Sequence, residues 1–445
     1  MGRDNVLAQN FKAGTLLRFA APSLFMMLFM GLYTMVDTLF IARLVNTDAL
    51  AAVNIVCPVI NLTVGLSAML ATGGNAILSR KMGQGRQPEA NRDLTLLILA
   101  GLALGILLGL LGALFIAPLL KSLGASERLF PYGRDYLTVL LVFLPANMLQ
   151  GLFQNLFVTA GKPGLGCVLS LAAGAANVML DWLFMVPLRM GVRGAALGTG
   201  IGYLIPAAAG LMYFAGRKTG LSLARPRWNF PLLVSCCANG SSEMVGQLAT
   251  AVTALLFNRE MMNRLEETGV AAVTILMYSQ FLLSTLFLGY GIGVAPVIGF
   301  NYGRRHDRLQ KTVFRIGMGF VAVVSLLIFA TAWWGGRDIA ALFADKGSAV
   351  HRLAAEGFSL FSFAYLFSGF NLYTSAMFTA LSNGKVSAVL SFLRTFGFVT
   401  IGLLLLPRFW GVTGIWLAVP LAELVAAILS VACLWRYRKR YGYAG

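Results

Sequence analysis

Residues 19–41 read FAAPSLFMMLFMGLYTMVDTLFI. About twenty predominantly apolar residues let an α-helix cross the roughly 30 Å hydrocarbon core of a bilayer. This stretch is therefore a membrane span, too long for a signal-peptide core and continuous with the body of the chain. It carries one acid, Asp37. A charge at the bilayer centre costs roughly 2.5–3.5 kcal/mol on insertion scales, so an acid kept there marks a functional site. Stepping back from Asp37 by fours and threes gives Tyr33, Met30, Met26 and, one turn further, Pro22. One helical face thus holds an acid, a phenol, two thioethers and a proline, which removes a backbone hydrogen bond and is a natural bending point.

The rest of the chain repeats this pattern. Of 445 residues, 58% are hydrophobic and 12% charged, and apolar runs recur from end to end, as in an all-α polytopic membrane protein. Charge clusters, Pro and Gly divide it into about twelve spans: 15–43, 49–76, 94–120, 132–160, 164–188, 192–215, 232–261, 270–299, 313–335, 353–381, 386–407 and 411–435. With the amino terminus inside, 22 of the 35 Lys and Arg residues fall on the cytoplasmic side. The positive-inside rule then predicts that both termini are cytoplasmic. The net charge of +18 has this topological explanation, and no nucleic-acid partner is implied. Five cysteines lie in or beside apolar runs without Cys-x-x-Cys spacing and read as small core residues.

The sequence is also an internal repeat. Ala51-Ala52-Val53 recurs as Ala271-Ala272-Val273, Gly83 as Gly303, and Gly191-Val192-x-Gly194 as Gly411-Val412-x-Gly414, all at one constant offset. Val168-Leu169-Ser170 recurs as Val389-Leu390-Ser391, a single position beyond that offset. Six spans per half make the repeat parallel, with two six-helix lobes related by a pseudo-twofold axis along the membrane normal. The expected division is an amino-terminal lobe over 1–216, a cytoplasmic linker over 217–231 and a carboxy-terminal lobe over 232–445. Gly101, Gly105 and Gly109, at intervals of four, predict close helix packing in span 3.

Polar residues form stripes within these spans. Asp181 and Asn177 share a face of span 5, and Thr199 lies among glycines in span 6 with Tyr203 one turn on. Together with Asp37 they offer hard oxygen donors suited to Na⁺, or to one or two protons where the acids approach each other. Span 7 carries Asn239, Glu243, Gln247 and Thr250. Glu243 reads as a second cation site, as the anionic end of a substrate cavity, or as an acid bonded within the bundle. Span 2 carries Asn54, Pro58, Asn61 and Gly65 on one face, and span 4 carries Asn147, Gln150 and Gln154. Arg394 and Glu423, in spans 11 and 12, are candidates to pair. No Gly-x-x-x-x-Gly-Lys-Ser/Thr loop provides for ATP, and no hydrolase motif is present. The chain reads as neither an ATPase nor another enzyme, with no cofactor; what remains is transport driven by an ion gradient.

At this point the chain resembles the multidrug and toxic compound extrusion (MATE) transporters over nearly its whole length. The likeness rests on Pro22 with the run Tyr33 to Ile41, on Asn177 to Asp181, on Gly191 to Thr199 and on the doubled six-span layout. Asn239-Gly-Ser-Ser-Glu243 followed by Leu256-Phe257-Asn258 is similar to the seventh helix of bacterial members. The resemblance implies V-shaped lobes that alternate between inward-open and outward-open states. It implies a cation-coupling site at Asp37, Asn177, Asp181 and Thr199, with Tyr136 associated, and a helix 1 that bends at Pro22. Some members use acids in helices 7 and 10; Glu243 matches the first, while helix 10 here offers neutral Asn371 and Tyr373. A monomer in a bacterial inner membrane follows, exchanging H⁺ or Na⁺ for cationic drugs or dyes. Met26, Met30, Tyr33, Gln154, Met179 and Glu243 are the expected substrate cavity, since soft thioethers and aromatic rings beside acids suit lipophilic cations. The alternatives are a lipid-linked precursor flippase, which needs several basic residues in its cavity where only Arg394 lies deep in a span, and a membrane-embedded enzyme.

Overall fold

The computed structural model describes residues 6–216 and 220–443, without the side chains of residues 35, 36, 38, 39, 42–44 and 47. Both chain ends and the first part of the expected linker, Arg217 to Thr219, lie outside the described residues. Among those residues the regular structure is helical throughout. Eight helices are long and apolar enough to cross a membrane, and two bent helix pairs each add one span. Two of the eight, Phe230–Gly303 and Gly384–Tyr441, are far longer than one crossing and break at Glu266 and Gly411, so each crosses twice. The total is twelve.

We number them α1 (Ala13–Leu44), α2 (Thr47–Gly83), α3 (Gln87–Leu114), α4 (Phe130–Val142 and Leu144–Thr159), α5 (Pro163–Met185) and α6 (Val192–Gly216). In the second half α7 and α8 are the two limbs of Phe230–Gly303, followed by α9 (Asp307–Ala341) and α10 (Ala349–Phe361 and Ala364–Ala380). Finally, α11 and α12 are the two limbs of Gly384–Tyr441 on either side of Gly411. The helix starts obey local chemistry. Asn46 accepts from Ala49 N–H at 2.7 Å to cap α2, Asp48 lies in its first turn and Arg80 and Lys81 in its last, matching the macrodipole at both ends. The linker that follows Thr219 packs back on α3, with Ala224 N–H donating to Thr95 Oγ1 at 3.0 Å.

The repeat is written in the backbone. Left-handed residues occur at Gly85 and Arg305, at Gly161 and Ser382, and at Gly191 and Gly411, pairs that keep the offset of the sequence repeat to within one position. The bends of α4 and α10 are 58° and 57° and fall at Phe143 and Phe363, again one repeat apart. Pro145 follows the first bend; the second has no proline and bends almost as far, so the proline is not required for the angle. Where the first half uses glycine to reverse direction, Ser382 must hold φ 60° with a side chain, a conformation that costs an L-residue roughly 1–2 kcal/mol. Its hydroxyl is buried without a partner. Ser382→Gly is therefore expected to stabilise the protein by about 0.5–1 kcal/mol, after the greater freedom of unfolded glycine is allowed for, read as a raised midpoint of thermal unfolding in detergent.

The expected close packing of span 3 is present. A methyl group at Gly105 would meet Pro145 Cα at 2.6 Å, and one at Gly109 would meet Leu141 O at 2.7 Å, both on α4. The two lobes touch through α1, α2, α7 and α8. Gly73 lies against the Cys236 carbonyl and Gly240 against that of Met69; nearer the terminal side, Gly83 lies against Phe300 O and Gly303 against Arg80 O. Further along the same face of α2, Gly65 meets Gln247. Beyond it, on that face, Pro58 and Asn54 are exposed. The lobes are thus joined on the side of the termini and part toward the other side, leaving a cleft.

Candidate functional site

The amino-terminal lobe gathers Asp37 from α1, Asn177 and Asp181 from α5 and Thr199 from α6. Asn177 and Asp181 are one helical turn apart and both are buried, Asp181 completely. Asn177 Nδ2 donates to Thr199 Oγ1 at 3.2 Å, which turns the amide oxygen toward the remaining space. The carboxylates of Asp37 and Asp181 lie within each other's electrostatic reach. With both acids ionised, neither oxygen of Asp181, nor Asp37 Oδ1, nor Asn177 Oδ1 has a donor, whereas a proton on either carboxyl would be shared between Asp37 and Asp181. Buried acceptors are normally satisfied, and an unpaired one costs about 1–3 kcal/mol, more when charged. Four converging acceptor oxygens without donors fit a small hard cation or protons on the acids. Among the described residues, no group of three or more His, Cys, Asp and Glu side chains forms a metal cluster, so the donor set does not resemble a transition-metal centre.

Glycines let the helices close around these acids. A methyl group on Gly198 would overlap Asp181 Oδ1, and one on Gly174 would reach Phe29 Cε1 at 2.5 Å and Tyr33 Cδ1 at 3.4 Å. Gly198→Ala should therefore displace the Asp181 carboxylate without altering any charge. It is expected to lower gradient-driven transport at least about tenfold, as a displacement worth some 1.4 kcal/mol would, while protein yield and detergent stability stay near wild type. Transport at the wild-type rate would show that Asp181 tolerates displacement.

Three phenols, Tyr33, Tyr136 and Tyr203, lie within electrostatic range of Asp37. Tyr136, on the first limb of α4, is buried at 4% exposure, with both acids in electrostatic range. Met30 and Tyr33 line a cavity with Gln150, Ser170, Asn177, Thr199 and Tyr203. Gln154 closes the same region, donating from Nε2 toward Met30 Sδ at 3.2 Å and Ser170 Oγ at 3.4 Å. Tyr203 is not among the expected cavity residues, and Gln150 is expected only as cavity lining or an interhelical hydrogen bond. The signal for Tyr203 was its place one turn after Thr199; for Gln150 it was only membership of a polar stripe.

Two expectations need revision. Met26 is 1% exposed and does not line this cavity; it packs in the core. Met179 is 66% exposed and shares its face of α5 with Val168, Trp182 and Val186, all exposed. It stands two residues from both Asn177 and Asp181, about 200° around the helix, so it points to the lipid side. Glu243 lies on α7 in the carboxy-terminal lobe, as its span predicts; it is not among the residues that line this cavity, and Arg394 is within its electrostatic range. Pro22 lies within α1, which runs unbroken from Ala13 to Leu44.

With this geometry in hand, comparison with known proteins is specific. The MatE family profile matches twice, over residues 22–183 and 244–403. The chain belongs to the MatE family. It is 23% identical over 439 residues to the multidrug export protein MepA of Staphylococcus aureus, an alignment covering 97% of this chain and 94% of that protein. Among solved structures it is similar to a MATE protein in complex with MaL6, at a TM-score of 0.91 and 21% identity, covering 98% of this chain and all of the other. It is equally similar in fold to a transporter of the MOP superfamily from Pyrococcus furiosus, described as having a binding pocket of reverse polarity, at a TM-score of 0.91, 21% identity and full coverage of both chains. The twelve-helix, two-lobe architecture is thus that of MatE transporters. MatE membership also decides between a transporter and a membrane-embedded enzyme, in favour of the transporter.

Proposed function

We propose that this MatE protein exports lipophilic organic cations in exchange for H⁺ or Na⁺ by alternating access. The observation that carries the reading is the set of unpaired buried oxygens on Asp37, Asn177 and Asp181, next to a cavity that Met30 and Tyr33 line. A coupling cation arriving from the side on which the cleft opens neutralises the acid pair. The same negative charge, with a thioether and a phenol beside it, receives an organic cation by electrostatic and cation–π attraction. Both cannot use the acids at once. By linkage, a drug that weakens ion binding is itself weakened by the ion to the same extent. Ion entry then releases the drug, and bending of α1 about Pro22 changes which side is open. Only one basic residue, Arg394, lies deep in a span, and it is already paired with Glu423 at 2.8 Å, which disfavours a cavity for anionic lipid head groups.

The protein then works as a monomer in a bacterial inner membrane with both termini cytoplasmic, and the cleft opens outward. The deciding experiment is efflux of a cationic dye from proteoliposomes with a proton gradient and a Na⁺ gradient imposed separately. One gradient should drive efflux, and failure of both would sink the exchange reading. For topology, cysteines placed at the exposed positions Arg86 and Arg305 of a cysteine-free protein should both react only with reagent on the cytoplasmic side. Reaction from opposite sides would overturn the parallel repeat.

A further inference from the structure

The acid site exists in one lobe only. Carried across by the repeat offset, Asp37, Asn177 and Thr199 fall on Phe257, Gly397 and Val419, none of which can hold an ion. The cavity positions behave differently. Gly174, or Ala173 where the offset lengthens by one, falls on Arg394, and Tyr203 falls on Glu423. The place that the amino-terminal lobe keeps open between α5 and α6 is therefore filled, in the other lobe, by an ion pair between α11 and α12.

That pair is closely held. Arg394 Nη1 donates to Glu423 Oε1 at 2.8 Å, with side-chain exposures of 14% and 4%. Asn371 of α10 donates to Glu423 Oε2 at 2.7 Å and to the Glu423 carbonyl at 2.9 Å, and Ser430 Oγ donates to Asn371 Oδ1 at 2.9 Å. Arg394 lies in a π-helical turn, Leu393–Phe398, of the kind that often marks functional positions. A carbonyl in that turn, Thr395 O, accepts from Thr253 Oγ1 of α7 at 3.2 Å. One donor is left over: Arg394 Nε is buried without a partner. Glu243, half-buried on α7, is within electrostatic range of the same guanidinium.

We propose that Arg394 is a tethered cation that occupies the carboxy-terminal lobe permanently, so that this lobe binds no exchangeable cation and Glu243 uses the guanidinium as its counter-charge. Removing one member of a buried charge pair leaves the other uncompensated. Without Arg394, Glu423 and Glu243 should recruit a free cation in its place. The inference stands on the carboxy-terminal lobe alone and does not depend on the coupling role of Asp37 and Asp181.

The test counts bound radiolabelled Na⁺ on purified full-length protein by equilibrium dialysis. In the wild-type background, Glu243→Gln should leave bound Na⁺ unchanged. Arg394→Met should gain about one saturable equivalent, and that gain should vanish when Glu243→Gln is added; Arg394→Lys, which keeps the tethered charge, should gain none. A merely structural ion pair would give a destabilised Arg394→Met protein with no added cation, and that result in a monodisperse preparation overturns the proposal. Should Arg394→Met not fold, the wild-type comparison still decides: loss of bound Na⁺ on Glu243→Gln would mean the lobe already holds a free cation.

Discussion

Asp37→Asn and Asp181→Asn are each expected to reduce gradient-driven efflux to the rate seen without a gradient, while the protein still inserts and folds. Both acids have buried oxygens that no other protein group donates to, and Asn keeps the size and polarity of the acid it replaces, so neutralising one removes a buried charge without opening a void. What is lost is the ion's leverage on the transport cycle. Coupling free energies of about 1–3 kcal/mol correspond to roughly 5–150-fold changes in affinity, and this factor should disappear from the ion dependence of drug binding. Binding itself should persist in part through Met30 and Tyr33. The double variant should transport no worse than either single one, since groups that act as a unit are non-additive. Dye efflux in proteoliposomes, with drug binding titrated at several pH values and Na⁺ concentrations, separates these effects. Wild-type ion-driven transport by both single variants would dismiss the mechanism.

Gly73→Ala combined with Gly240→Ala should prevent the lobes from closing on the side of the termini. Each added methyl group would run into backbone, the Cys236 carbonyl in one case and the Met69 carbonyl in the other, and backbone within a packed helix yields little. Overpacking costs about 1–3 kcal/mol per site, so two sites together shift the balance between open states by roughly 30-fold or more. Spin labels at positions 86 and 305 should move apart, and dye efflux should fall close to background. Unchanged label distances with normal efflux would show that this contact does not hold the closed side together. A smaller effect is expected from Glu243→Gln, which should narrow the range of cationic substrates more than it weakens ion coupling, because the charge within its electrostatic range is that of Arg394 and not of the acid pair.

Much of this architecture is legible in the sequence, because a lipid solvent permits few solutions. Apolar length gives the spans, and the expense of a buried charge singles out Asp37 and Asp181 before any contact is known. The pairing of Asn177 with Asp181 follows from the helical period. The same period misleads when it is not applied: Met179 is close in sequence to both residues and lies across the helix from them. Met26 shares a face with Asp37, yet that face runs into the core two to three turns below. The sequence shows α7 and α8 as two apolar runs, but not that the chain turns from one to the other through a single non-helical residue, Glu266. Nor does any residue type announce the bend at Phe363; it is visible only by analogy with the proline-flanked bend at Phe143, its counterpart in the first half. Arg394 and Glu423 were legible as a pair, whereas their correspondence to cavity positions of the other lobe needs the lining of that cavity as well as the repeat offset.

The reciprocal contact of Gly83 with Phe300 O and of Gly303 with Arg80 O has the form of an isologous interface, in which one surface patch meets its own copy about a twofold axis. Here both copies reside in one polypeptide. A half-length chain able to make that contact would assemble as a homodimer about the same axis. The present chain should retain that ability to self-assemble. Cut between Gly216 and Phe230, where helix gives way to linker, and co-expressed as two polypeptides, it should re-form a transport-competent particle, with the covalent connection supplying proximity and the glycine faces supplying the fit.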